Sequence, residues 1–184
     1  MMSCIRMSCV MLAFMTLYGC GGGGGNGNGG AGPGTDSYVF QAGNATLTFS
    51  ALSTAHLAAP ISGIDLFITL PQGMSVATET GRSGQIENAS ITPGSALVGT
   101  NLAFGSYSAS NGMVRLSMAT TNDNYRSGEF LRLTCIVAPN SAITLGSLKA
   151  LNVPVSIQKA VGYDPIASST VILTDSVKVI LGTP

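Results

Sequence analysis

Beyond residue 35 the apolar positions recur at every second residue, the period of a strand with one face in a core and one in water. Ala45-Thr46-Leu47-Thr48-Phe49-Ser50 sends Leu47 and Phe49 one way and the threonines the other. Ile64 to Leu70 repeats the pattern with Ile64, Leu66, Ile68 and Leu70 inward, and Pro71-Gln72-Gly73 ends it in a turn. The alanine-rich stretch Ala51 to Pro60 between them has room for a single helical turn. Ser75 to Gly84 reads as a weaker strand and loop, and Gln85 to Ile91 as a strand closed by Thr92-Pro93-Gly94. Ser95 to Tyr107 holds one or two short strands. Asn111-Gly112 fits the two positive-φ positions of a type I′ hairpin, after which Val114, Leu116 and Met118 point inward. Met113, Arg115, Ser117 and Ala119 therefore face out. After the loop Thr121 to Asn124, Glu129 to Val137 turns Leu131, Leu133, Cys135 and Val137 inward until Pro139-Asn140 breaks the run. Val153 to Ile157 and Val171 to Leu181 give two more strands, with Pro154 marking an edge or a bulge. About nine short strands separated by turn clusters, with no long helical pattern, predict an all-β sandwich.

The first 20 residues follow another pattern. Arg6 is the only charged side chain ahead of Asp36, and an apolar run interrupted only by Thr16 spans Val10 to Leu17. That run is too short to cross a bilayer, which takes about 20 residues, and has the length of a signal-peptide core. Met1, Met2 or Met7 could be the start, and only the first two keep Arg6. Leu17-Tyr18-Gly19-Cys20 resembles the bacterial lipobox, in which the cysteine thiol is acylated and the signal is cut just before it. The resemblance implies a signal peptide over residues 1–19, a lipid on Cys20 and a location in the cell envelope. Gly21 rather than aspartate follows the cysteine, which favours the outer membrane of a Gram-negative cell. Ten of the fourteen residues from Gly21 to Gly34 are glycine, so residues 20–35 read as a flexible tether spanning roughly 20 Å. Residues 36–184 form the one globular domain.

Composition excludes several classes. Charged residues are 9% of the chain and the formal net charge is zero, with no basic stripe to release phosphate counterions, so no nucleic-acid partner is expected. Cys4 and Cys9 leave with the signal, and a lipid on Cys20 leaves Cys135 alone as a buried, reduced small hydrophobe. His56 is the single histidine, set in an alanine-rich connection with no nucleophile elbow anywhere, so no catalytic triad is expected. One histidine and one free cysteine cannot make a zinc site, and Asn122-Asp123-Asn124 lacks the spacing of an EF-hand loop; neither metal nor cofactor is expected. The eight carboxylates are scattered, with Asp65 and Glu129 at or beside strands and the others mostly in loops, and read as solvated residues rather than a glycosidase pair. Tryptophan is absent, leaving Phe104, Tyr107, Tyr125 and Tyr163 as candidates for stacking on a sugar.

Three stretches resemble cohesin modules, and in the right order. Ile61-Ser62-Gly63-Ile64-Asp65-Leu66-Phe67-Ile68-Thr69-Leu70-Pro71 is similar to their second-strand region. Asn111 to Ala119 resembles their strand of a glycine, alternating apolar residues and a closing alanine, and Ser127 to Val137 resembles the strand entered through a Ser/Asp-Gly-Glu turn. The resemblance spans most of residues 36–184 and implies a nine-stranded antiparallel jelly-roll sandwich related to carbohydrate-binding modules. It also implies a non-catalytic module that binds a dockerin-like protein through one sheet face. The row Met113, Arg115 and Ser117 is the expected part of that face: small residues allow close approach, and Arg115 can meet a carboxylate bidentately. The alternative is a carbohydrate-binding module that takes polysaccharide.

Overall fold

The computed structural model describes residues 36–53 and 56–184. The expected signal peptide, Cys20 and the glycine tether lie outside the described residues. Ten strands and one helix follow in order: β1 Gly43–Ser53, β2 Ile61–Thr69, β3 Met74–Ser75, β4 Ile91–Pro93, β5 Asn101–Ser108, β6 Met113–Thr120, β7 Gly128–Val137, α1 Leu145–Asn152, β8 Ser156–Asp164, β9 Ser169–Ile172 and β10 Val177–Gly182. They make an all-β sandwich of two antiparallel sheets. One runs β10-β1-β7, and the far edge of β7 is shared by β3 at Ile136 and Val137 and by β4 at Leu131 to Leu133. The other runs β5-β6-β2-β8-β9.

The core lies between the sheets. Leu47 and Phe49 of β1, Ile64, Leu66 and Ile68 of β2, Val114, Leu116 and Met118 of β6, and Leu131, Leu133, Cys135 and Val137 of β7 are all buried, as the period-two pattern predicts. Each large apolar side chain so buried contributes roughly 1.5–3 kcal/mol. One break in the period strengthens the core. The β1–β7 register shifts so that Phe49 faces Leu131 while Ser50 faces Glu129, leaving Phe130 as the extra residue of a bulge. Both Phe130 and Leu131 then point inward, and the Phe130 ring sits 6.5 Å from that of Phe49.

Several expectations need correction. The described residues hold ten strands rather than nine, two of them only two or three residues long. The helical turn expected in Ala51 to Pro60 is absent among the described residues, and Ala51 to Ser53 prolong β1 because Ala51 is a core position. Gln85 to Ile91 is not a strand: Gln85 and Ile86 make isolated bridges, a 3-10 turn spans Asn88–Ser90, and pairing begins at Ile91. The β5–β6 connection is a four-residue loop rather than a type I′ turn. Only Gly112 has positive φ, at 68°, and Asn111 instead accepts the Met113 N–H on its side chain at 3.1 Å. The reason is packing: the Gly112 carbonyl accepts from Leu70 N at 2.8 Å, and a Cβ on Gly112 would meet the Leu70 carbonyl oxygen at 2.8 Å.

Val171 to Leu181 is two strands in different sheets. The chain turns at Leu173, whose buried side chain and N–H bond to the Ala160 carbonyl pull it out of line, and a 3-10 turn at Thr174–Ser176 completes the crossing. The strand expected at Val153 to Ile157 begins only at Ser156, so Pro154 stands ahead of it. Val153 instead terminates α1. This helix starts at a reciprocal cap: the Thr144 side chain accepts from Ser147 N at 3.0 Å, and the Ser147 hydroxyl accepts from Thr144 N at 3.1 Å. It buries Leu145, Leu148 and Asn152, one stripe at helical spacing. Asp36 to Phe40 fasten onto its start through Gly146 N to Asp36 O, Leu145 N to Tyr38 O and Phe40 N to Ile143 O, and Lys149 pairs with Asp36 at 2.8 Å. A Cβ on Gly146 would meet the Asp36 carbonyl oxygen at 2.9 Å, which explains a glycine inside a helix.

Candidate binding face

The strand register lays the outer face of the β5-β6-β2-β8-β9 sheet out as a grid. Across β6 and β2, Ala119 faces Gly63, Ser117 faces Asp65, Arg115 faces Phe67 and Met113 faces Thr69. On the far side of β6, Leu102, Phe104, Ser106 and Ser108 oppose Ala119, Ser117, Arg115 and Met113. On the far side of β2, Val161 stands opposite Gly63 and Lys159 opposite Asp65, and β9 extends the first row with Ile172 against Val161. The first row is therefore Leu102, Ala119, Gly63, Val161 and Ile172, apolar or small across all five strands. Leu102 and Ile172 are each 63% exposed and Phe104 in the next row is 57% exposed, so these side chains are not satisfied by the core.

Met113, Arg115 and Ser117 do share this face, but Arg115 is already engaged. Its Nε donates to Asp65 Oδ1 at 3.0 Å and its terminal nitrogen to Asp65 Oδ2, while the Ser117 hydroxyl donates to Asp65 Oδ1 at 3.1 Å. The Arg115 guanidinium also lies 5.8 Å above the centre of the Phe67 ring. The Arg115 hydrogen bonds, aided by Ser117, hold the Asp65 carboxyl below its ordinary range against the opposing effect of partial burial. The bidentate bond expected to reach a partner's carboxylate is thus made within the sheet. Asp65 and Arg115 present a neutral pair, and the charge left over is that of Lys159, which has no ion-pair partner among the described residues. Lys159 is the residue that sequence reasoning missed, because the strand expected at Val153 to Ile157 stops two residues short of it, whereas β8 runs on to Asp164. At the end of the face Phe67, Met113, Leu151 and Pro154 line a further cleft of about 320 Å³.

The other candidates separate. Asp65 and Glu129 sit in opposite sheets, so they make no dyad, and Glu129 is paired with Arg132 at 2.7 Å. His56 is exposed in the β1–β2 connection. Asn122 and Asp123 spend side-chain oxygens on Asn124, at 3.1 and 2.8 Å. Of the four aromatics, Tyr125 is buried with its hydroxyl donating to the Gly128 carbonyl at 2.9 Å, and Tyr107 packs on the core. Phe104 and Tyr163 are exposed but stand on strands separated by β6 and β2, so they form no stacking row. Cys135 is fully buried, and that burial pushes its thiol up to about 12.

No protein-family model matches the chain, and no curated protein matches it. Among solved structures it is similar to a chain of a type II cohesin–X-dockerin complex from Acetivibrio cellulolyticus, at 13% identity and a TM-score of 0.42, over 74% of this chain and 86% of that one. A likeness so distant carries no function with it.

Proposed function

We propose that the domain is a non-catalytic, cohesin-like interaction module, held in the bacterial cell envelope by a lipid on Cys20, that docks a dockerin-like protein on the outer face of the β5-β6-β2-β8-β9 sheet. The observation that supports this most is the exposed apolar row from Leu102 to Ile172 beside an ion pair that is already closed. Apolar area beside an ion pair closed within the sheet carries little desolvation cost when another protein covers it, and Lys159 is left as the one charge there for a partner to match among the described residues. Polysaccharide binding remains the alternative occupant of the module, but the scattered exposed aromatics do not favour it.

The test uses the full chain as bait in envelope extract, with and without a calcium chelator. The captured protein is then purified and its affinity measured against Phe104→Ala and Lys159→Gln. Both variants should weaken binding at least about tenfold. A partner indifferent to both, or retention on polysaccharide alone, would remove the reading.

A further inference from the structure

At one end of the sandwich the β1–β2, β6–β7 and β8–β9 connections converge on a cavity of about 580 Å³, apart from the sheet face. Arg126, Asp123 and Asp164 all line it, with Tyr163, Pro165 and the exposed Ile166 along its apolar side. Opposite charges in one cavity normally find each other, yet among the described residues none of these three makes an ion pair. Arg126 is instead held by one backbone carbonyl, and the two aspartates by neighbours in sequence. Arg126 donates one terminal nitrogen to the Leu57 carbonyl at 3.1 Å. Asp164 Oδ1 accepts from the N–H groups of Ile166 and Ala167 at 2.9 and 3.2 Å. Asp123 Oδ1 accepts from the Asn124 amide at 2.8 Å. Among the described residues, the rest of the guanidinium and the second oxygen of each carboxylate have no hydrogen-bond partner.

We propose that this cavity binds a zwitterion, an amino acid or dipeptide with an apolar side chain. Its carboxylate would meet the open side of the Arg126 fork, its ammonium the free carboxylate oxygens of Asp123 and Asp164, and its side chain the apolar side at Tyr163 and Ile166. The volume falls in the range of about 300–1,000 Å³ common for small-ligand sites. Pre-positioned, unpaired groups of both signs select a ligand carrying both, because a ligand with one charge leaves the other set unmatched. The arginine beside the two carboxylates argues against a cation alone.

The test is calorimetric titration of the full chain with three probes: leucyl-leucine, its N-acetyl form, which lacks the ammonium, and its amide, which lacks the carboxylate. N-acetylglucosamine serves as the neutral sugar. Leucyl-leucine should bind saturably and each single-charge probe about tenfold or more weaker, a step of one decade in Kd. Arg126→Gln should abolish discrimination against the amide, and Asp123→Asn combined with Asp164→Asn discrimination against the N-acetyl form. Asparagine at 164 keeps the oxygen that holds the local turn, so that arm stands even if the Arg126 variant folds poorly. Equal affinity for the three peptides, preference for the sugar, or no saturable binding up to millimolar concentration would each overturn the proposal.

Discussion

Asn152 closes the end of β2 in place of a strand: its side-chain oxygen accepts from the Thr69 N–H at 2.7 Å and its amide nitrogen donates to the Thr69 carbonyl at 2.8 Å. The same nitrogen donates to the Leu148 carbonyl, also at 2.8 Å, so one buried side chain joins helix α1 to the sheet. Replacing it with leucine would leave both Thr69 groups unmatched, at about 1–3 kcal/mol for each. Asn152→Leu should lower the urea midpoint accordingly. A midpoint within error of wild type would mean that water replaces the amide.

The Asp65–Arg115 pair predicts a titration. Asp65 has its folded pKa depressed, so its contribution is present above the unfolded value of about 3.9 and is lost as pH falls through the lower folded value. Arg115→Met should move the Asp65 carboxyl resonance midpoint upward in an NMR titration. Near neutral pH the melting temperature should change little, because Arg115 is 53% exposed and the pair is screened by solvent. An unmoved midpoint would show that Ser117, not Arg115, sets the shift.

Arg115→Glu is a poor probe of docking for the same reason. It would set a second carboxylate against Asp65 and disturb the sheet itself. Lys159→Gln removes the one unmatched charge of the face among the described residues without breaking an ion pair or setting a second carboxylate opposite Asp65, and should leave the stability within about 0.5 kcal/mol of wild type. A large loss of stability would show that Lys159 is structural.

Cys135 should resist thiol reagents in the native protein, since the thiolate that reacts is scarce well below a pKa of about 12 and the sulfur is covered. Labelling with iodoacetamide at pH 8 should require denaturant. Cys135→Ser should cost about 1–3 kcal/mol by placing a hydroxyl among apolar neighbours. Rapid native labelling would contradict the burial.

Lipidation is read from the N-terminal peptide. Mass spectrometry should find Cys20 acylated and first in the mature chain, and Cys20→Ser should block both steps. An unmodified Cys20, or cleavage elsewhere, would end the lipoprotein reading.

Where the sequence was legible, it was legible through alternation. Leu47 and Phe49, the β2 series and the β7 series each announce an inward face, because one side of the strand must leave water. Alternation says nothing where packing overrides it. Phe130 turns inward only through a bulge that depends on the register with β1. Helix α1 carries glycine at 146 and serine where a capping box usually has glutamate, so its local signal is weak and its tertiary contacts decide. Missing that helix displaced β8 and hid Lys159. The outward row on β6 was readable, but its chemistry was not: whether Arg115 is free depends on Asp65, fifty residues away in sequence and adjacent only by register.

The fastening of Asp36 to Phe40 along the start of α1 also decides how the domain bears load. Any pull on the chain ahead of Asp36 reaches first the Asp36–Lys149 pair and the bond from Gly146, then Tyr38 with Leu145, then Phe40 with Ile143. These contacts lie one after another along a short seam, antiparallel at its Val39–Thr144 bridge. Tension entering at Asp36 would therefore meet these five residues, a mechanical fuse, before it met β1 and the core.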